Sequence, residues 1–153
     1  MFIGDELHMK NTNVFVYGSL REGFFNYDKY LKGKVNSIRP AKIENKIVYH
    51  MPYKGYPAIL ETKDSSVVYG EIMEIKPEIY DETMKAMDEM EGFISENNPE
   101  NEYDKKLLEV EDLKTGIKEK CYVYFYNKKI DDKFDSEAEF INHGDWVKHM
   151  TDK

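Results

Sequence analysis

Cysteine is nearly absent from this sequence, and blocks of positive charge and long apolar runs are missing altogether. Cys121 is the one cysteine in 153 residues, so no internal disulfide can form. A chain of this length buries enough surface to fold without one. A lone thiol is the ordinary condition of a reducing compartment, and a cytoplasmic location is the expectation. One cysteine and four scattered histidines lack the spacing of a zinc site, and no metal is expected. The net charge is −8. Without a basic surface to displace counterions, generic nucleic-acid binding and polybasic membrane attachment are both excluded. No apolar run approaches the roughly 20 residues that span a bilayer. The opening MFIGDELHMK carries Asp5 and Glu6 where a secretory signal needs an apolar centre. Five prolines and nine glycines are spread without a linker, and no repeat occurs. The expectation is an N-terminal extension over residues 1–11 and a single domain over 12–150.

What is present is an aromatic-rich globular pattern. Hydrophobic residues make up 41% of the chain and twelve of the aromatic residues are Tyr, too much apolar surface for a disordered chain. Val14 to Tyr17 read as a buried strand ending at Gly18, and residues 24–32 as a short helix. Residues 42–49 read as one strand, followed by an irregular loop marked by Pro52, Gly55 and Pro57. Residues 67–75 read as another strand. The clearest helix is 77–91, with Pro77 at its start, acids in its first turn and Gly92 at its stop. Residues 107–110 and 120–126 read as two more strands. In the second, Cys121, Val123 and Phe125 face one way and Tyr122, Tyr124 and Tyr126 the other. The tail 136–150 reads as a turn or short helix. Several strands with one long helix before the last pair argue for an α+β fold with a curved sheet or small barrel.

Two features carry chemistry. On helix 77–91, Tyr80, Met84, Met87 and Glu91 form one stripe. A carboxylate ending a buried stripe is desolvated and sits at the negative end of the helix dipole, and both effects raise its pKa. A Glu raised toward neutrality suits a general acid/base. The competing reading is a helix that ends early, with Glu91 turned into water. The second feature is Tyr17-Gly18-Ser19-Leu20, where a strand breaks at a Gly and leaves backbone N–H groups free to hold an anion; an ordinary strand-end turn is the alternative. The following residues lack the Gly-Lys-Ser/Thr ending of a phosphate loop. Cys121 and the Met residues of the helix read as core. His50 reads as a structural residue or part of a pocket wall, and Tyr103 and Tyr126 as rings whose hydroxyls could reach a pocket.

These segments together resemble the gamma-glutamylcyclotransferase-like (AIG2-like) family. Val14 to Leu20 resemble its opening strand and YGSL turn, Gly55 to Ile59 its GYPA loop, and Val68 to Ile75 its VxGEL/IYEI strand. Met87 to Phe93 resemble its LDxxEGY segment, Cys121 to Tyr124 its AxVY strand, and Gly144-Asp145-Trp146 its C-terminal GDW. The blocks run in order over residues 13–147. One departure is Tyr103-Asp104-Lys105 where the family often has Tyr-x-Arg, since Lys lacks the forked guanidinium.

The resemblance implies a small mixed β-barrel with helices packed outside and a pocket at one end. It implies a gamma-glutamyl small-molecule substrate that cyclises to 5-oxoproline with release of an amine, with no cofactor. Glu91 matches the catalytic Glu, and Tyr17, Gly18, Ser19 and Leu20 match the substrate-holding turn. The alternative is a non-catalytic barrel that uses the same turn to bind a small acid. Oligomeric state is not encoded in any of these features. The negative charge is local: residues 88–112 hold ten acids against two bases, and the rest of the chain balances. The segment 93–102 is expected to be a lid or a substrate-selecting loop, and the acidic excess over 88–112 either to favour a donor with a basic amine portion or to be a solvated loop only.

Overall fold

The computed structural model describes residues 11–152, so the expected extension over 1–11 lies outside the described residues apart from Asn11. In chain order the elements are β1 (Val14–Val16), α1 (Phe25–Tyr30), β2 (Val35–Glu44), β3 (Lys46–Met51), β4 (Tyr56–Glu61), β5 (Val67–Ile75), α2 (Tyr80–Met90), β6 (Tyr103–Asp112), β7 (Lys118–Tyr126), α3 (Phe134–Glu137), β8 (Glu139–Phe140) and α4 (Trp146–Thr151). Five strands close into a barrel in the order β1-β5-β2-β6-β7. Neighbours are antiparallel except where β1 meets β7, and there the Tyr122 N–H donates to the Asn13 carbonyl at 2.9 Å. Strands β4, β3 and β8 form a separate three-stranded sheet. The fold is the expected α+β barrel with helices outside it.

Alternation along the strands sorts the core into two clusters. Phe15, Ala41, Ile43, Val68, Ile72, Val110, Cys121, Val123 and Phe125 come from all five barrel strands and pack together, as residues of one strand face should. The opposite faces supply Val14, Val16, Met73, Tyr103, Tyr124 and Tyr126, which pack against Tyr80, Met84 and Met87 of α2 and Tyr27 and Leu31 of the α1 region. The expected split of β7 into two faces is therefore observed. Met87 is fully buried, a gain of about 1.5–3 kcal/mol over leaving it in water. Trp146 is also buried, and its Nε1–H donates to His50 Nδ1 at 3.1 Å. His50 thus holds the C-terminal helix against β3 and does not line the main cavity.

Two expectations about strands are corrected. Residues 42–49 are not one strand: Asn45 adopts φ 59° and turns the chain between β2 and β3, which lie in different sheets. Asn tolerates this left-handed conformation, and its side chain bonds the Asp64 carbonyl at 2.9 Å. The supposed irregular loop is only a tight turn, because Tyr56–Glu61 pairs along all of β3. The first half of β2 gave no strand signal because Asn36, Ser37, Arg39 and Pro40 interrupt its apolar pattern.

Gly70 in β5 lies over β1. A Cβ there would stand 2.2 Å from the Val16 carbonyl oxygen and 2.7 Å from the Phe15 ring. Gly70→Ala should therefore cost about 1–3 kcal/mol by overpacking. Urea unfolding checks this, and an unchanged midpoint would show that β1 and β5 do not approach so closely.

Candidate active site

Three pieces of chain meet at one end of the barrel around a cavity of about 370 Å³. The first is the end of β1. Tyr17 is buried, and its hydroxyl donates to the Tyr124 carbonyl at 2.6 Å. The chain then turns through Gly18–Arg21, closed by the Arg21 N–H on the Gly18 carbonyl at 2.9 Å. This turn leaves the N–H groups of Ser19 and Leu20 without a hydrogen bond among the described residues. Asn26 donates to Ser19 Oγ at 2.7 Å, and the Tyr27 N–H to the Ser19 carbonyl at 3.1 Å, so α1 fixes the turn. Gly18 is packed on the second piece, the start of β4: a Cβ would fall 2.5 Å from Pro57 Cγ. The Pro57 carbonyl in turn accepts from the Tyr103 hydroxyl at 2.5 Å.

The third piece is the end of α2. The Gly92 N–H bonds the Glu89 carbonyl and the Phe93 N–H the Asp88 carbonyl, with Gly92 at φ 70°. This is the Schellman ending that a left-handed glycine allows. It leaves Glu91 as the last residue in helical conformation, and Glu91 lines the cavity. Tyr17, Gly18, Ser19 and Leu20 line the same cavity. The stripe Tyr80, Met84 and Met87 is buried, as its spacing predicts.

The electrostatics single out Glu91. Its pKa is pushed up from 4.5 to about 8, first by burial, then by the negative charges of Glu102 and Asp88. The residue as a whole is half-buried because it faces the cavity. Its carboxyl is nonetheless packed closely enough by protein that loss of water dominates the shift. Each neighbouring carboxylate has its own lysine: Asp88 pairs with Lys105 at 2.9 Å and Glu102 with Lys54 at 3.2 Å. Among the described residues Glu91 has neither an ion pair nor a hydrogen bond to its carboxyl. The buried hydroxyls of Tyr17, Tyr103 and Tyr124 have pKa values raised above the usual Tyr range, chiefly by burial, so they stay neutral.

Sequence reasoning missed several wall residues: Phe25, Asn26, Lys54, Tyr56, Met90 and Glu102. Lys54 adjoins the Gly55–Ile59 segment that carried the resemblance, and Glu102 ends the acidic segment 93–102 read as a solvated loop, lid or substrate-selecting loop; these were the available signals. Tyr103 reaches the cavity, whereas the Tyr126 hydroxyl is turned to Asp131 at 2.5 Å. Lys105, in place of the family's Arg, holds Asp88 and lies over the Phe93 and Tyr122 rings. The segment 93–102 is pinned by buried Asn101, whose side chain accepts from the Ile94 N–H and donates to the Ser95 carbonyl and Asp104. Within that segment only Glu102 lines the cavity.

A small barrel with an uncompensated carboxyl and an N–H-bearing turn lining one cavity is suited to a class of chemistry that needs a proton acceptor and an anion holder. Comparison with known proteins makes the class specific. The profile of the family described as "Gamma-glutamyl cyclotransferase, AIG2-like" matches residues 14–148, and the chain belongs to this family. A Methanocaldococcus jannaschii protein, provisionally named a gamma-glutamylcyclotransferase, is 34% identical over 113 residues, 74% of this chain and 82% of its own. The gamma-L-glutamyl-butirosin B gamma-glutamyl cyclotransferase of Niallia circulans is 33% identical over 116 residues, 76% of this chain and 67% of its own. In fold, the chain superposes on an AIG2-like protein of Mus musculus with a TM-score of 0.62 at 20% identity, covering 88% of this chain and 86% of that one. The protein is an enzyme of the gamma-glutamylcyclotransferase kind. Among the described residues, no helix is long and apolar enough to cross a membrane.

The raised pKa of Glu91 has a consequence for stability. Between pH 4.5 and 8 the folded state keeps a proton that the unfolded state has lost. The contribution is therefore fully present below pH 4.5 and is lost as pH rises through about 8. Urea unfolding from pH 5 to pH 8.5 should show the parent losing more stability than Glu91→Gln, which has no proton to lose. Equal losses would mean that Glu91 titrates normally.

Proposed function

We propose that the protein cyclises the gamma-glutamyl group of a small amide, releasing 5-oxoproline and an amine, with Glu91 as general acid and base. The observation that carries this reading is the uncompensated Glu91 carboxyl in one cavity with the free N–H groups of Ser19 and Leu20. The reaction needs no outside nucleophile. The substrate's α-nitrogen attacks its own γ-carbonyl carbon, a new C–N bond closes a five-membered ring, and the original C–N bond breaks. Holding the chain in the folded conformation supplies the proximity advantage of an intramolecular reaction.

The α-nitrogen enters as an ammonium and must lose a proton before it can attack. Its positive charge draws the Glu91 pKa down, so the carboxyl gives its own proton to solvent as the substrate settles. The carboxylate then takes the ammonium proton and hands it to the departing nitrogen. As the lactam forms, it takes the second proton shed by the ring nitrogen and returns to its protonated resting state, while the released amine regains from solvent the proton given up on binding. Atoms balance without water: one amide becomes one lactam and one amine. The Ser19 and Leu20 N–H groups hold an anionic oxygen of the substrate, either the α-carboxylate or the developing oxyanion. Asn26, bonded to Ser19 Oγ, keeps the turn in place.

Glu91→Gln preserves shape and removes the titratable proton. Its kcat for 5-oxoproline release should fall by about 10²–10⁴, the usual worth of general acid–base catalysis. KM should stay within a few-fold, and circular dichroism should report an unchanged fold. A folded variant with full activity would remove Glu91 from the mechanism.

A further inference from the structure

The cavity has a deep end and an outer end. Tyr17, Tyr103 and Tyr124 are at most 6% exposed. Lys54 and Glu102 have side chains 29% and 30% exposed. The reacting gamma-glutamyl group belongs with Glu91 and the turn. The outer pair, on the solvent side of Glu91, then meets the amine portion that leaves.

The two oxygens of Glu102 are used unequally. Oε2 accepts from both Lys54 Nζ and the Tyr56 hydroxyl, while Oε1 accepts no hydrogen bond among the described residues. The residue is held by its backbone as well: its N–H donates to the Gly92 carbonyl at 3.0 Å and its carbonyl accepts from the Asn127 N–H at 2.9 Å. A Cβ on Gly92 would stand 2.9 Å from Glu102 Cβ, so the glycine that ends α2 also admits this side chain. Lys54 is the single cation among the described lining residues, and it is already paired.

This arrangement treats the two signs of charge differently. A cationic group on the leaving amine can donate to Glu102 Oε1 and leave the Lys54 pair intact. An anionic group has to take Lys54 away from Glu102, and it meets the Glu102 charge as it does so. A neutral group gains from neither. We infer that Glu102 is the specificity-determining residue of this site, selecting gamma-glutamyl donors whose leaving amine carries a second, cationic nitrogen. The inference rests on the cyclotransferase reading above.

Three donors of nearly equal size separate the outcomes: the N-γ-glutamyl amides of 1,4-diaminobutane, butylamine and 4-aminobutanoate. Their leaving portions end in a cation, a methyl group and an anion. For each, kcat/KM for 5-oxoproline formation and Kd by calorimetry are measured on the parent, Glu102→Gln and Lys54→Met. The parent should favour the diaminobutane donor over the butylamine donor by about tenfold, the worth of one charged hydrogen bond. The aminobutanoate donor should rank last. Glu102→Gln should bring the cationic and neutral donors within about threefold of each other. Lys54→Met, which frees Oε2, should keep or enlarge the preference for the cation.

A parent that handles the butylamine donor as well as the cationic one overturns the inference. So does a preference that survives in Glu102→Gln or vanishes in Lys54→Met. Release of 5-oxoproline from all three donors alike leaves the cyclotransferase reading standing and removes only the selectivity. If no donor is turned over, the catalytic reading falls, and the three Kd values still decide whether Glu102 selects cations.

Discussion

A carboxyl group short of water and without a cation of its own is the constraint on which the site depends. Leaving it charged is costly, so the protein must hold it in place by other means than pairing. The helix α2 does this from one side. Its Tyr80, Met84 and Met87 stripe is sunk into the outer face of the barrel, and its glycine ending stops the helix at Glu91. The barrel does it from the other side. The Tyr124 hydroxyl bonds Asp88 at 2.6 Å, and Lys105 holds the second oxygen of the same carboxylate at 2.9 Å. Those bonds tie the last turn of the helix to β6 and β7.

The surrounding charges are arranged around that carboxyl. Asp88 and Glu102 both raise the Glu91 pKa, yet each is neutralised by its own lysine. Local negative charge therefore does not accumulate without limit, and the larger part of the shift comes from burial. The tyrosines around the cavity are held neutral by the same burial. They fasten the walls to one another through backbone carbonyls, Tyr17 to Tyr124 and Tyr103 to Pro57. The tyrosine hydroxyls in the cavity wall are thus committed to holding structure, leaving Glu91 and the turn N–H groups uncommitted.

Much of this was legible in the sequence because it depends on periodicity. The spacing of Tyr80, Met84, Met87 and Glu91 gave the buried stripe, and Gly92 gave the helix stop. Alternation in 120–126 gave the two faces of β7. What periodicity could not give was register and turn conformation. The Asn45 turn is a single left-handed residue inside an apolar run, so β2 and β3 read as one strand. The half of β2 before Ala41 is held by backbone pairing with β5, and its side chains carry little pattern. In the site, Lys54 and Glu102 lie 48 positions apart and meet only through tertiary packing. No local rule brings them together, although Lys54 stands beside the recognised Gly55–Ile59 segment and Glu102 ends the acidic segment 93–102.

The central physical claim is that Glu91 is protonated at neutral pH in the free enzyme. Selective ¹³C labelling of glutamate side chains, with the Glu91 resonance assigned by Glu91→Gln, measures this directly. The account predicts that the Glu91 carboxyl titrates with a midpoint of about 8. A midpoint in the ordinary carboxylate range near 4.5 would contradict it, because Glu91 would then already be charged at pH 7 and its burial would carry no catalytic meaning.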